Sequence, residues 1–202
     1  MSGGEGGGGG GAAATPTSWK KFNARDDVAS CSQVKSSVAR NVRARVLEQM
    51  PALGEHDLIE ELLPKKGAVY LAKCANRLQV VVVDGAPLFV GERDNSRFYP
   101  TLRLLHRYPY LLPALQVDRG AIKFVLSGAD IMCPGLTSPG ARMPDAELSA
   151  GTTVAIFAEG KRHALAIGVT AMSTSQMREV NKGVGVHSVH VLDDGLWHAQ
   201  SF

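Results

Sequence analysis

The sequence lacks the features that mark disulfide-rich, zinc-binding, membrane-spanning or secreted proteins. Its three cysteines, Cys31, Cys74 and Cys133, are odd in number and far apart, which argues against a disulfide framework and a zinc site. No stretch approaches the roughly 20 apolar residues that span a bilayer. The N-terminus lacks the basic-then-apolar order of a signal peptide. We therefore expect a soluble, cytoplasmic protein.

Charge of one sign is also scarce. The net charge of +3, with a pI near 8.8, permits nucleic-acid binding without requiring it. The 202 residues, 45% of them hydrophobic, suffice for one medium domain or two small ones. Residues 1–18 are rich in glycine and offer almost nothing to bury, so we interpret them as a disordered extension.

The first half of the chain predicts a small α+β module. A helical stripe of apolar residues is predicted from three- and four-residue spacing at Cys31, Val34, Val38, Val42 and Val46. The segments "AVYLAKC", "LQVVVV" and "PLFV" are rich in β-formers, and they predict strands. The Asp84-Gly85 pair between the last two suits a tight type I′ turn.

A short helix is predicted over "YPTLRLLHRYP" (99–109), with Pro100 in its first turn and Pro109 at its end. Arg103, His106 and Arg107 share one face of that helix, which we expect to be basic and exposed. The segment "LPALQ" (112–116) reads as a linker, and we place a domain boundary between residues 114 and 115.

The second half predicts mostly strands with two short helices, which is typical of a small barrel. A hairpin is expected across Glu159 to Arg162, and another around Asp194-Gly195. Between them, Ser173 and Gln176 have the spacing of a capping box, so a helix should begin there.

The stretch "GAIKFVLSGADIMCPG" (120–135) has small residues at both ends of what reads as one helix. With Asp118 as the N-cap and Gly128 as the stop, Ile122, Val125 and Leu126 should face the core. Phe124 would then point to the opposite side. Either it packs under a loop or the other domain, or it stacks on a ligand: glycines admit close approach, and an aromatic beside a lysine suits nucleotides.

Long motifs in the chain resemble the malignant T-cell-amplified sequence family. They are "FYPTLRLLHRYPYLLP" (98–113), "QVDRGAIKFVLSGADIMCPGLTSPGA" (116–141), "VNKGVGV" and "LDDGLWH". The resemblance starts near Trp19. It implies an N-terminal α+β domain over 19–114 that is specific to the family, followed over 115–202 by a PUA domain, a pseudo-β-barrel that binds structured RNA.

The resemblance also implies a non-catalytic translation factor. Such a protein is one half of a heterodimer with density-regulated protein, and the related protein ligatin carries both halves in one chain. The pair would act on the small ribosomal subunit in translation reinitiation and in recycling after termination. There the PUA domain would hold the acceptor end of a tRNA, and the N-terminal domain would help to dock.

The residue pattern and the resemblance together predict an RNA-binding groove, phosphate contacts beside it and a ribosomal-RNA surface. The expected groove residues are Gly120, Lys123, Phe124, Gly128, Ala129, Met132, Pro134 and Gly135. The expected phosphate contacts are Lys161, Arg162, His163 and Lys182. The expected ribosome contacts are Arg40, Arg43, Arg103 and Arg107. All the basic residues could equally form an ordinary solvated surface.

Thr101 and Ser138 fall in motifs where the family is regarded as phosphorylated, and added charge there could alter docking. The Gly-rich extension has no counterpart in the family, and "ARMPDAELSAG" (141–151) has the composition of a variable loop.

Two other functions stay open, beside the weaker case of a pure scaffold, which predicts no loss of function when Phe124 and Lys123 are changed. An accessory domain of an RNA-modifying enzyme is one, but no nucleophile, base and orienting acid can be paired, so we expect no enzyme and no cofactor. His187 and His190 should point to opposite faces of a strand, which disfavours a metal site. An RNA-binding adaptor unconnected with translation is the other. It would not sediment with small ribosomal subunits.

Overall fold

A computed structural model describes residues 15–93 and 97–202, which form two sheets with helices packed around them. The interpretation of residues 1–18 as disordered lies, for 1–14, outside the described residues. Residues 15–18 are described, and there the interpretation is wrong in part, since the Thr17 hydroxyl donates a 2.8 Å hydrogen bond to Glu92 Oε1.

In its described residues, the N-terminal unit is an antiparallel sheet in the order β1-β2-β3-β4-β5, with five helices. Its strands are β1 (Val28–Gln33), β2 (Val69–Cys74), β3 (Leu78–Val83), β4 (Ala86–Glu92) and β5 (Phe98–Pro100). Its helices are α1 (Ala24–Asp27), α2 (Ser36–Gln49), α3 (Ala52–Glu55), α4 (Leu58–Leu62) and α5 (Leu102–Arg107).

The predicted turn between β3 and β4 is confirmed. Asp84 and Gly85 both have positive φ, at 51° and 76°, as a type I′ turn requires. β3 is buried along its whole length, because the sheet is covered on both faces there.

The apolar stripe is confirmed only in its second half. Val42 and Val46 are buried on α2, but this helix begins at Ser36, and Cys31 lies on the exposed edge strand β1. Lys35 adopts extended geometry immediately before the helix. The prediction that Pro100 lies in the first turn of the next helix is also wrong. Pro100 ends β5, and Thr101 is the N-cap of α5.

The C-terminal unit is a curled sheet in the order β6-β8-β9-β10-β7. Its strands are β6 (Ala114–Val117), β7 (Ile131–Met132), β8 (Thr153–Ala158), β9 (Ala166–Thr170) and β10 (Val184–Val191). Its helices are α6 (Ile122–Leu126), preceded by a 3-10 turn over Arg119–Ala121, then α7 (Pro134–Thr137), α8 (Thr174–Val180) and α9 (Gly195–His198). The predicted α+β fold with a pseudo-barrel is confirmed.

Two local expectations in this unit are corrected and a third is confirmed. The segment 112–116 is no linker, because Leu112 and Leu115 are buried and β6 pairs in parallel with β8. Asp194 does not form a hairpin turn. It caps α9 by accepting a 2.9 Å hydrogen bond from the Trp197 amide. The capping box at Ser173 and Gln176 is confirmed.

One apolar cluster spans both sheets, and a second cluster lies within the C-terminal unit. Ile167, Val169 and Val189 of the C-terminal sheet pack in the same cluster as the strands and helices of the N-terminal unit. Trp19 lies in this cluster, fully buried, and its amide donates a 2.8 Å hydrogen bond to the Val189 carbonyl. The segment before α1 thus joins the two units.

Candidate nucleic-acid interface

A groove of about 630 Å³ opens between α6, β7 and α7. Six of the predicted groove residues line it: Gly120, Phe124, Ala129, Met132, Pro134 and Gly135. The sequence pattern does not predict the other lining residues, among them Asp118, Val125, Asp130, Ile131 and Ser138. The groove follows one continuous stretch of chain, which is why the sequence pattern could find most of it.

Small residues keep the groove open. A Cβ on Gly135 would lie 3.3 Å from Ala121 Cβ, and one on Gly120 would lie 3.1 Å from Asp118 Oδ1. Both distances are tighter than ordinary contacts between carbon and its neighbours. The absence of a side chain at Gly135 lets α7 approach Ala121 in the turn before α6, and its absence at Gly120 leaves room for the Asp118 carboxylate.

Phe124 is the exposed aromatic of the groove. Its side chain is 56% exposed, and Met132 across β7 is 49% exposed. The interpretation that Phe124 packs under a loop or the other domain is therefore wrong. Lys123 Nζ lies over the Phe124 ring, 4.9 Å from its centroid, which places a cation over one face of an exposed aromatic ring.

The prediction that Val125 and Leu126 face the core is confirmed for Val125 and wrong for Leu126. Val125 is buried, but Leu126 is 41% exposed, because the first turn of the helix is 3-10 and the α-helical part spans only five residues. Ala129 and Gly128 follow at once, and Gly128 has φ of +73°.

Two predicted groove residues lie elsewhere. Gly128 faces the side chain of Lys20, whose Cδ would be 2.7 Å from a Cβ at that position. Lys123 flanks the groove without lining it. Of the predicted phosphate contacts, Lys182 is exposed just before Val184, which pairs with Met132 of the groove.

The other predicted phosphate contacts belong to the turn between β8 and β9. Lys161 and Arg162 are exposed there. The ring of His163 lies 5.0 Å from that of His106 on α5, so this turn sits at the junction of the two units rather than in the groove.

The basic face predicted on α5 is not wholly exposed. Arg103 Nη2 donates a 3.0 Å hydrogen bond to the Trp197 carbonyl, and His106 Nε2 lies 2.8 Å from the Ala164 carbonyl. Burial lowers the pKa of His106, against a smaller rise from the Ala164 hydrogen bond. Arg107 stays exposed on this face, where it pairs with Glu61 at 3.6 Å.

The two predicted ribosome contacts on α2, Arg40 and Arg43, differ in their surroundings. Arg43 donates to the carbonyls of Ile59 and Leu63 and pairs with Glu60 at 2.5 Å. Its guanidinium therefore ties α2 to α4. Arg40 is exposed on the same helix and remains free to meet a partner.

The two predicted modification sites differ in access. Thr101 is buried: its hydroxyl donates to the Pro87 carbonyl at 3.1 Å and accepts from the Leu104 amide at 3.3 Å. Ser138 lines the groove, half-buried, and its hydroxyl donates to the Pro134 carbonyl. Added charge at Ser138 would enter the groove directly.

The two strand histidines point in opposite directions, as predicted. His187 Nδ1 contacts Asp130 Oδ2 at 2.9 Å beside the groove, whereas His190 Nδ1 contacts Asp194 Oδ2 at 2.7 Å in the interior. Among residues 15–93 and 97–202, no three His, Cys, Asp or Glu side chains gather where they could hold a metal ion. Within the same residues no helix combines the length and apolarity needed to cross a membrane.

The fold and the groove define a PUA-type RNA-binding protein, and comparison with known proteins agrees. Residues 22–109 match the Pre-PUA-like domain family, and residues 112–195 match the family described as "elF2D, PUA domain". A hypothetical protein from the archaeon Pyrococcus horikoshii has the same fold, with a TM-score of 0.68 at 22% identity over 85% of this chain and 100% of that one.

Curated relatives are closer in sequence. Malignant T-cell-amplified sequence 1-B of Xenopus laevis is 48% identical over 91% of this chain and 99% of its own. Malignant T-cell-amplified sequence 2 of Homo sapiens is 47% identical over the same shares. The chain therefore belongs to the malignant T-cell-amplified sequence family, an RNA-binding family related to translation.

Proposed function

We propose that this protein is a non-catalytic, cytoplasmic translation factor whose groove holds the single-stranded acceptor end of a tRNA. The observation that carries the proposal is the exposed ring of Phe124, with Lys123 Nζ over one of its faces, in a groove with an apolar lining. Unpaired bases stack on such exposed rings, and a lysine beside the ring suits the adjoining phosphate.

In this proposal the protein works as a heterodimer with density-regulated protein on the small ribosomal subunit, in reinitiation and in recycling after termination. Family membership supports this role. The exposed Arg40 and Arg107, together with Lys161 and Arg162 at the junction of the units, would supply contacts to ribosomal RNA. Several weak contacts joined in one complex would yield adequate affinity despite the small net charge.

The test uses purified small subunits that carry a P-site tRNA, with and without density-regulated protein. Phe124→Asp should abolish release or recruitment of the tRNA by the heterodimer. Val180→Asp is the matched control, because Val180 is 57% exposed, like Phe124, but lies on α8 outside the groove. Equal activity of wild type and Phe124→Asp would overturn the groove assignment, and no sedimentation with small subunits would favour an adaptor outside translation.

A further inference from the structure

The groove contains two carboxylates in different states. Asp130 is fully engaged: Oδ1 accepts a 2.9 Å hydrogen bond from the Ser188 amide, and Oδ2 contacts His187 Nδ1. Asp118 is engaged at Oδ1 alone, by the Ala121 amide at 2.8 Å. Within residues 15–93 and 97–202, its Oδ2 has no hydrogen-bond or ion-pair partner.

Asp118 is also held in place. Its amide donates a 3.1 Å hydrogen bond to the Gly135 carbonyl of α7, while its side chain caps the turn that leads into α6. The residue is thus anchored to both walls of the groove. Gly120 next to it has no side chain to cover the carboxylate. Asp118 is half-buried and lines the apolar groove, so its carboxylate is held at a defined point there, where one hydrogen bond discriminates more than in water.

We propose that Asp118 selects the base that stacks on Phe124, by accepting a hydrogen bond from an exocyclic amine. The inference rests on the proposed function, because it concerns the same groove. Adenine and cytosine carry such an amine at N6 and N4, whereas uracil has a carbonyl oxygen at the corresponding place. A carboxylate attracts the first two and repels the third, so the groove favours RNA ends whose base is adenine or cytosine over ends with uracil.

The test measures binding of the full chain to heptaribonucleotides that differ only in the 3′-terminal base, by fluorescence anisotropy at low salt. The bases are adenine, cytosine, uracil and unsubstituted purine, which lacks only the amine of adenine. Adenine and cytosine ends should bind about tenfold more tightly than uracil and purine ends, as expected for one hydrogen bond to a charged acceptor.

Asp118→Asn is the decisive variant. Asparagine caps a helix as well as aspartate does, so the fold should persist, but its free atom becomes an amide donor. The preference should disappear or turn toward uracil. Asp118→Ser, which keeps a capping oxygen and deletes the second one, should remove the preference if the asparagine variant proves unstable. Asp193→Asn is the control, since Asp193 is an exposed carboxylate paired with His198 outside the groove.

The outcomes separate the inference from the proposed function. Equal affinity for all four ends, lost in Phe124→Asp, would leave the groove an RNA site and overturn the role of Asp118. An unchanged preference in Asp118→Asn and Asp118→Ser would overturn it too. Absence of binding, or binding that Phe124→Asp does not weaken, would overturn both the groove assignment and the inference.

Discussion

The guanidinium of Arg103 lies over the indole ring of Trp197, with Cζ 4.1 Å from the ring centroid, and donates a hydrogen bond to the carbonyl of the same residue. These residues belong to different units, Arg103 to α5 and Trp197 to α9. The stacked cation is thus one of the side-chain links that hold the PUA domain against its partner domain.

Removal of this link should destabilise the whole chain. Arg103→Ala is expected to lower the free energy of unfolding by about 1–3 kcal/mol, because it removes a cation–π contact and a charged hydrogen bond. Arg103→Lys should recover only part of this, since lysine cannot stack its ammonium as a planar group. Urea unfolding measures the effect. Arg40→Ala, at an exposed position, should change stability by less than about 0.5 kcal/mol.

The stability of the junction between the two units should also depend on pH. Burial lowers the pKa of His106 in the folded protein, so the unfolded chain binds more protons as the pH falls below about 6.5. The stability contributed by neutral His106 is complete above that pH and is lost as the pH falls through the lowered folded pKa. His106→Gln keeps a donor for the Ala164 carbonyl and should flatten the decline. Urea unfolding between pH 7.5 and 5, with both proteins compared at each pH, measures it; parallel curves would contradict the assignment.

Thr101 should behave as a structural residue in the free protein. Thr101→Ala removes a buried cap and a bond to the Pro87 carbonyl and should cost about 1–2 kcal/mol. Thr101→Asp places a charge in a buried site and should cost more than the alanine variant. Thermal unfolding ranks the variants. A Thr101→Asp protein as stable as wild type would show that the site opens readily to modification.

Gly128 offers a test of the contact between the N-terminal segment and the groove helix. Gly128→Ala suffers both a left-handed backbone strain of about 1 kcal/mol and a clash with the Lys20 side chain. Gly160→Ala is the matched control, because its φ is +75° and nothing lies within 4 Å of the added Cβ. Gly128→Ala should lower the free energy of unfolding more than Gly160→Ala does. In a double-mutant cycle, this difference should vanish when Lys20 is also changed to alanine.

The three thiols should differ sharply in reactivity. Cys31 is exposed, whereas Cys74 and Cys133 are buried. Burial raises the pKa of Cys74 to about 11, and it also raises that of Cys133, so both hold little thiolate at neutral pH. An Ellman titration of the folded protein should show one fast thiol, which Cys31→Ser removes. Two fast thiols in the folded protein would contradict the burial of the others.

Much of the site was predictable because it is local. Phe124, Met132 and the glycines around them lie within sixteen residues of chain (120–135), and helix periodicity places Phe124 opposite the buried Val125 from sequence spacing alone. The turn at Asp84-Gly85 and the capping box at Ser173 depend on the conformations of a few neighbouring residues, and both were correct. The sequence predicts Asp118 as a cap, but nothing in its spacing shows that the residue also lines the groove.

The errors concern contacts between distant parts of the chain. The stripe at Cys31 continued a helical spacing, but pairing with β2 drew that residue into an edge strand, since tertiary context overrides local preference. The sequence predicts that the helix face with Arg103 and His106 is exposed. This is wrong because Trp197 and Ala164 cover that face, and both come more than fifty positions later in the chain.

Local order in the sequence was thus enough to predict the class of fold, most turns and caps, and most of the residues that line the groove, since each follows from residues within a few turns of one another. The union of the two sheets in one core, the burial of Thr101 and Trp19, and the open carboxylate oxygen of Asp118 were decided by packing. Packing joins side chains without regard to their distance along the chain, so no local pattern contains that information.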